Sequence, residues 1–332
     1  MGGDRGPETI VRGALSALAA SSGSLDIILV GDEQVLRPLV EAHGSPGARV
    51  DIVHASQAID MSEMPSSAVR KKKDASILVA ARLQKEGRAE AMVSAGNTGA
   101  AIASSLVTIG RLHGLSRPAI ATVMPTMKRG AVVLDVGANS ECTPRNLLQF
   151  AVMGSVFAEH QLGIRNPRVG LLNIGEEPTK GKELVREAFK LIERENLNFI
   201  GNVEGRDVFG GSVDVVVCDG FVGNVVLKFS ESIVSFVTHI LKSEIEKRFF
   251  AKLGAVLMKG AFSALRSKLD YAEYGGALLL GVGGVTIIAH GKSSSRAIKN
   301  AVLSAQKFVQ LGINDKIEER FKGMVNNVVN VS

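Results

Sequence analysis

The chain has 332 residues, 45% apolar and 22% charged, a balance that excludes a disordered chain, a collagen-like chain and a small disulfide scaffold. Lys and Arg total 39 against 33 Asp and Glu, a formal charge of +6; aromatic residues make up only 5% and Trp is absent. The basic excess is mild, and the scarcity of stacking platforms argues against a base-stacking nucleic-acid partner.

The N-terminus reads Met1-Gly2-Gly3-Asp4, without the basic-then-apolar order of a secretory signal. Cys142 and Cys218 are the only cysteines, too few for a disulfide framework or a Cys-rich zinc site and in keeping with a reducing cytoplasm. Short apolar runs, most of which stop at Gly, Asp or Asn, predict strands at Leu25–Val30, Ala91–Ser94, Ala131–Val136, Arg168–Ile174, Phe199–Val203 and Val213–Cys218. Helical periodicity lies between them over Thr98–Arg111, Pro144–His160 and Lys182–Glu195. Strand, small polar turn and helix in repetition is the pattern of an α/β fold. From Lys228 to Glu246 a helix is expected with Phe229, Ile233, Phe236, Val237, Ile240 and Leu241 on one face. A basic stretch follows in which Phe249, Phe250, Leu253, Leu257 and Phe262 alternate with Lys247, Arg248, Lys252 and Lys259, and Gly254 and Gly260 predict bends. Such a segment suits either an anionic membrane surface or a dimer interface with a solvated basic rim. Gly275–Ala289 is 15 uncharged residues with five glycines, short for a membrane span and readable as buried strand and turn.

The familiar catalytic signatures are missing: no G-x-x-x-x-G-K-[ST], no G-x-G-x-x-G between strand and helix, no H-E-x-x-H and no G-x-S-x-G. Gly291-Lys292-Ser293 imitates the end of a phosphate-binding loop, but Thr286 stands where its first glycine belongs. The six histidines show no metal-ligand spacing. What remains is a series of polar turns at strand ends. Ser94-Ala95-Gly96-Asn97-Thr98-Gly99 opens a helix, a geometry that favours a phosphate or carboxylate as much as an ordinary capped turn. Asp135-Val136-Gly137-Ala138-Asn139, Asn173–Gly181, Gly201–Asp207 and Cys218–Asn224 repeat the logic. Parallel strands deliver such turns to one edge, so the five are expected to converge on one phosphate-sized cleft. Lys180 suits an oxyanion or a solvated helix start; Asp219 and Glu204 suit proton transfer or turn capping; His290 suits a general acid or a structural strand end. Cys218 reads as a packed residue. Arg70-Lys71-Lys72-Lys73 reads as a solvated helix face or as a docking patch for an acidic partner.

In order, Met1-Gly2-Gly3-Asp4-Arg5-Gly6-Pro7, Ser94–Gly99, Leu134–Asn139, Leu172–Lys180, Gly201–Asp207, Val217–Asn224, Tyr274-Gly275-Gly276-Ala277 and His290-Gly291 resemble, across nearly the whole chain, the bacterial phosphate acyltransferases of phospholipid synthesis, the PlsX family. The resemblance implies a three-layer αβα sandwich around a mixed, mostly parallel sheet, related to isopropylmalate dehydrogenases and phosphotransacetylases. It implies a single domain, 1–332, of two intertwined lobes, with 228–270 as a protruding amphipathic segment. The implied reaction carries an acyl group from acyl-acyl carrier protein to inorganic phosphate, with no metal and no cofactor. A homodimer is implied, cytoplasmic and peripherally bound to the inner face of an anionic membrane, with a glycerol-3-phosphate acyltransferase downstream. Phosphate, as the nucleophile, would make a serine or cysteine elbow unnecessary.

Turn chemistry and resemblance together assign catalysis to Lys180, Asp219 and His290. They give phosphate and substrate contact to Asn97, Thr98, Gly99, Asn139, Asn173, Glu176, Asn202, Glu204 and Asn224. Membrane contact falls to Phe249, Phe250, Leu253, Leu257 and Phe262, and carrier-protein docking to Arg70, Lys71, Lys72 and Lys73. Members of that family carry a short apolar strand ahead of Met-Gly-Gly-Asp, whereas Met1 stands at the motif itself; an exposed sheet edge and a mobile Gly2–Asp4 turn are therefore expected. A decarboxylating dehydrogenase of the same fold would need an Arg cluster and paired Asp metal ligands, which the sequence does not offer. A phosphotransacetylase acting on acyl-CoA and a non-catalytic membrane scaffold stay open, although a scaffold has no need of five polar turns.

Overall fold

The alternation of strands and helices builds an α/β structure, described by the computed structural model for residues 1–21, 23–44, 49–269 and 275–329. In chain order the elements are α1 (Gly6–Ala20), β1 (Ile27–Gly31), α2 (Glu33–Ala42), β2 (Val50–His54), α3 (Pro65–Lys71), α4 (Ser76–Lys85), β3 (Ala91–Ser94) and α5 (Thr98–Ser104), which runs into a π-helical turn at Ser105–Ile109. Next come β4 (Ala119–Pro125), β5 (Gly130–Leu134), α6 (Pro144–Leu162), β6 (Val169–Leu172), α7 (Glu183–Ile192), β7 (Phe199–Val203), α8 (Asp207–Gly210) and β8 (Val215–Val217). The remainder is α9 (Gly220–Glu246), α10 (Phe249–Leu257), α11 (Lys259–Leu269), β9 (Ala277–Leu280), β10 (Val285–Ile288), α12 (Ser295–Leu311) and α13 (Ile313–Val329). Tyr274, part of one family motif, lies outside the described residues.

Eight strands form one mixed, mostly parallel sheet in the order β3-β10-β9-β4-β5-β8-β6-β7, and β1 pairs with β2 in a separate parallel ribbon. β3 and β10 run parallel; β9 runs against both β10 and β4, and β5 runs against β4. β8, β6 and β7 then follow β5 in parallel. The two flanks of the sheet thus point in opposite directions. Central strands buried on both faces read as unbroken apolar runs: Ala131–Leu134 and Val215–Val217 have no exposed surface. On one face lies α6, with Leu147, Phe150, Met153 and Phe157 in the main core. A capping box between Thr143 and Asn146 starts that helix, with Pro144 in its first turn, and Gly163 ends it in a left-handed conformation. The other face is covered by α5 and the beginning of α9, through Ala101, Ile102, Val222 and Val226.

β4 and β2 were not expected from the sequence. Pro118 and Pro125 bracket β4 and disguise it, while β2 is only half-buried beside a single partner. Gly275–Ala289 supplies β9 and β10, as its buried-strand reading required. α9 begins at Gly220, eight residues before the expected Lys228. Gly220 and Gly223 look like turn formers, but here they allow the helix to touch the sheet: a Cβ at Gly220 would lie 2.7 Å from Asp135 Oδ2. The expected bends at Gly254 and Gly260 fall elsewhere, at Lys247–Arg248 and at Met258, and both glycines sit inside helices. No residue of α10 is buried. α9 has the length and apolarity of a membrane span, yet its first turn is fixed against the sheet.

β1 and β3 are edge strands of their respective sheets. They border a shared cavity of about 730 Å³, with Met1 among its lining residues. The Gly2–Asp4 turn at the end of that cavity is tied down: Gly3 N–H donates to Met1 C=O (2.9 Å) and Asp4 N–H to Gly291 C=O (3.1 Å).

Candidate active site

Strand direction decides which turns meet. β3 and β10 release Ser94–Gly99 and His290 at one edge of the sheet, whereas β5, β8, β6 and β7 release Gly137–Asn139, Asp219–Asn224, Asn173–Gly181 and Asn202–Asp207 at the opposite edge. β3 and β8 also stand five strand spacings apart, about 24 Å. The single cleft expected from five converging turns is therefore not what this topology builds: four turns share one edge and the Ser94–Gly99 turn stands at the other.

At the four-turn edge the turn after β8 lies between those after β5 and β6. Asp219 caps α9, accepting from Val222 N–H at 2.8 Å, so the capping role weighed for it is realised. Asn224, one turn further on, packs its side chain within 4 Å of the space above Gly137. Asn139 was expected to touch substrate, but it is buried and its amide nitrogen is engaged within the fold: Nδ2 donates to Pro118 C=O (2.7 Å) and to Asp135 Oδ2 (2.9 Å). The loop 173–181 is folded by its own amides. Asn173 donates to Lys180 C=O (3.1 Å), and Asn202, from the neighbouring strand, donates to Glu177 C=O (2.9 Å). Asn202 Oδ1 is buried without a partner. Glu176 and Glu204 both pair with Arg206, at 2.9 and 3.4 Å. Lys180 is exposed and has no side-chain partner among the described residues, which leaves its charge available to an anion.

Asp135 is the residue that sequence reasoning missed. It is the only fully buried carboxylate among the described residues, and it accepts from the backbone N–H groups of Ile120, Gly137, Ala138 and Asn139 and from the Asn139 amide. Burial pushes its carboxyl pKa up, against the pull of those donors at Ala138, Asn139, Ile120 and Gly137. The signal was present in the motif: an acid at a strand end, followed two residues later by glycine.

At the other edge Asn97 caps α5, accepting from Ala100 N–H at 3.0 Å, while its Nδ2 reaches the carbonyls of Asp60, Met61 and Glu63. Its side chain is thus committed to the loop 60–63 and not to a phosphate. Thr98 is exposed and Gly99 half-buried. Lys72 pins the same loop through Glu63 (2.6 Å) and Ala58 C=O (2.7 Å), which removes it from the docking patch; Arg70, Lys71 and Lys73 remain exposed. His290 is exposed, its Nδ1 accepting from Lys292 N–H at 3.0 Å. On α10, Phe249, Phe250, Leu253 and Leu257 expose 57–84% of their surface; Phe262, on α11, is half-buried.

Neither thiol is a ready nucleophile. Burial, reinforced by the charge of Asp135, pushes Cys142 up to about 11 and Cys218 well above the ordinary thiol value. Among the described residues no cluster of His, Cys, Asp and Glu is arranged to hold a metal ion.

The family model described as "Fatty acid synthesis protein" matches residues 1–316. A phosphate acyltransferase of Heliobacterium modesticaldum is 56% identical over 329 residues, covering 99% of this chain and 98% of its own. The chain belongs to the phosphate acyltransferase family. Its member from Pelotomaculum thermopropionicum is 52% identical over 310 residues, 93% of this chain and 90% of that one. Family membership makes the protein an acyltransferase. In fold it is similar to a phosphotransacetylase from Streptococcus pyogenes (TM-score 0.64, 18% identity, 92% of this chain and 91% of that one) and to a branched-chain phosphotransacylase from Enterococcus faecalis V583 (0.58, 15%, 93% and 97%). The α/β sheet is thus shared with phosphotransacylases.

With Cys142 near 11, only about 10⁻⁴ of it is thiolate at pH 7. Alkylation of the native protein should be negligible at pH 7 and should rise about tenfold per pH unit toward pH 11, at Cys142 alone. Rapid modification at neutral pH would contradict this description of the site.

Proposed function

We propose that this acyltransferase moves an acyl group from acyl-acyl carrier protein to inorganic phosphate, supplying acyl phosphate for membrane phospholipid synthesis. A phosphate oxygen attacks the thioester carbonyl carbon; the C–O bond forms, the negative charge gathers on the carbonyl oxygen, and the C–S bond then breaks, the thiolate taking a proton from water. Holding phosphate beside the carbonyl and stabilising the oxyanion is the whole of the catalysis required. The observation that carries this reading is the four-turn edge, where the unpaired cation of Lys180 shares an edge with Asp219, Asn224 and Asn202. There Lys180 stabilises the oxyanion, Asn224 and the first turn of α9 hold phosphate, and Asp219 and Asn173 keep their turns in place. The acyltransferase family and the protonated thiols support a substrate-borne nucleophile.

Thr98, Gly99 and His290, at the other edge, belong to a separate contact, such as the far part of the donor. Arg70, Lys71 and Lys73 form an exposed basic patch that suits an acidic carrier protein, by steering more than by fixed contacts. The exposed apolar side chains of α10, next to Arg248 and Lys252, suit the surface of an anionic membrane, and the apolar stripe of α9 suits a second copy of the chain. On this reading the enzyme works as a homodimer held peripherally at the cytoplasmic face of the membrane, handing its product to a glycerol-3-phosphate acyltransferase.

Purified protein supplied with phosphate and either acyl-acyl carrier protein or acyl-CoA should release acyl phosphate faster from the carrier protein. Lys180→Ala should lower kcat by about 10²–10³ at saturating phosphate. Equal use of both donors would favour a phosphotransacetylase-like enzyme, and unchanged turnover would remove Lys180 from catalysis. In cosedimentation with anionic vesicles, Leu257→Glu should weaken binding by about tenfold or more, the loss expected for one buried leucine. Binding equal to the parent would place the membrane contact elsewhere.

A further inference from the structure

A carboxylate removed from water costs several kcal/mol unless donors replace its hydration. Asp135 has lost its water entirely and has five donors instead. Oδ1 accepts from Ile120 N–H (3.0 Å), Gly137 N–H (3.1 Å) and Ala138 N–H (3.0 Å); Oδ2 accepts from Asn139 N–H (2.7 Å) and Asn139 Nδ2 (2.9 Å). Every partner is a donor, so the arrangement calls for the ionised form, which alone presents only acceptors. Four of the five bonds go to Gly137–Asn139, three residues with no strand or helix of their own to hold them.

That turn carries the start of α9. Asn139 C=O accepts from Gly220 N–H at 2.8 Å, the first residue of the helix. Side chains are excluded from the contact: a Cβ at Gly220 would lie 2.6 Å from Asn139 C=O and 2.7 Å from Asp135 Oδ2, and one at Gly223 would overlap the Asp135 carbonyl oxygen. Asp135 N–H also donates to Cys218 C=O (3.0 Å), and Cys218 N–H to Leu134 C=O (2.9 Å), which joins the strand before the turn to the strand before the helix. The carboxylate therefore lies beside the N-terminus of a 27-residue helix, where a negative charge is favoured. One helical turn later Asn224 stands over Gly137, whose φ of 142° needs a glycine.

We propose that Asp135 is a positioning residue for the acyl transfer: it fixes the Gly137–Asn139 turn as the seat of the first turn of α9, and so sets where Asn224 and that first turn meet the substrates. Asp135 touches neither substrate. Its effect is geometric, and it rests on the reading of the four-turn edge as the place of reaction. A substituted amide would turn an NH₂ group toward N–H groups in place of one carboxylate oxygen, pushing the turn and the helix start apart.

The test is steady-state kinetics of Asp135→Asn beside the parent, each checked for a cooperative thermal transition. Acyl-phosphate release is measured with phosphate and acyl-acyl carrier protein varied in turn. The expected result is a fall in kcat of about 10²-fold, the cost of a misplacement on the order of 1 Å, with KM for the carrier protein within about threefold of the parent. Gly220→Ala, which keeps the carboxylate but separates the helix from the turn, should show the same split. A lowered melting temperature with unchanged kcat in either variant would overturn the proposal, as would failure of both to fold, which would make Asp135 a folding residue only. An inactive parent would instead refute the proposed reaction and is distinguishable from either result.

Discussion

The antiparallel centre of the sheet governs everything the molecule displays at its edges. β9 opposes β10 and β4, and the hairpin from β4 to β5 reverses direction once more. A sheet with one direction throughout would send all its polar turns to a single edge. Here the reversal separates the Ser94–Gly99 turn and His290 from the turns that follow β5, β6, β7 and β8. Lys180, Asn202, Asp219 and Asn224 are neighbours by topology, and the Asn97 turn belongs to a different surface.

The reversal also explains why a charge is buried where it is. β5 ends beside β8, and the helix that follows β8 must start in contact with the turn that follows β5. Backbone N–H groups crowd that junction, and an apolar side chain would leave them without acceptors. Asp135 supplies acceptors to four of them and to the Asn139 side-chain amide at once, while Gly220 and Gly223 give up side chains so that the helix reaches the carboxylate. At the far edge Asn97 does similar work on a smaller scale, collecting three carbonyls of loop 60–63 that Lys72 and Glu63 hold from the other side. Polar groups are thus placed by the turns that need them, and the residues left over are the ones available for chemistry. Lys180 is the clearest of these.

The layer architecture was legible in the sequence because buried parallel strands such as Val215–Val217 and Ala131–Leu134 read as uninterrupted apolar runs. The turns were legible because each gathers Gly with Asn or Asp at a strand end. Strand direction was not legible: it depends on β4, hidden between Pro118 and Pro125, and on the pairing of β9 with β10 inside a glycine-rich run. Hence the turns were found and their convergence was misjudged. Side-chain employment was equally hidden. Nothing in Asn97 or Asn139 as letters separates an amide that holds a loop from one that holds a ligand, and the ion pair of Lys72 with Glu63 joins residues nine apart through a loop. The early start of α9 was missed because Gly220 and Gly223 signal a turn in sequence and a close contact in space.

In the proposed reaction phosphate is handled at the edge built by β5, β8, β6 and β7. Amide hydrogen exchange of the intact protein, with and without saturating inorganic phosphate, tests it most directly. Slowed exchange is expected in 173–181 and 219–224, with 94–99 and 290–292 unchanged. Protection confined to 94–99 and 290–292 would contradict it.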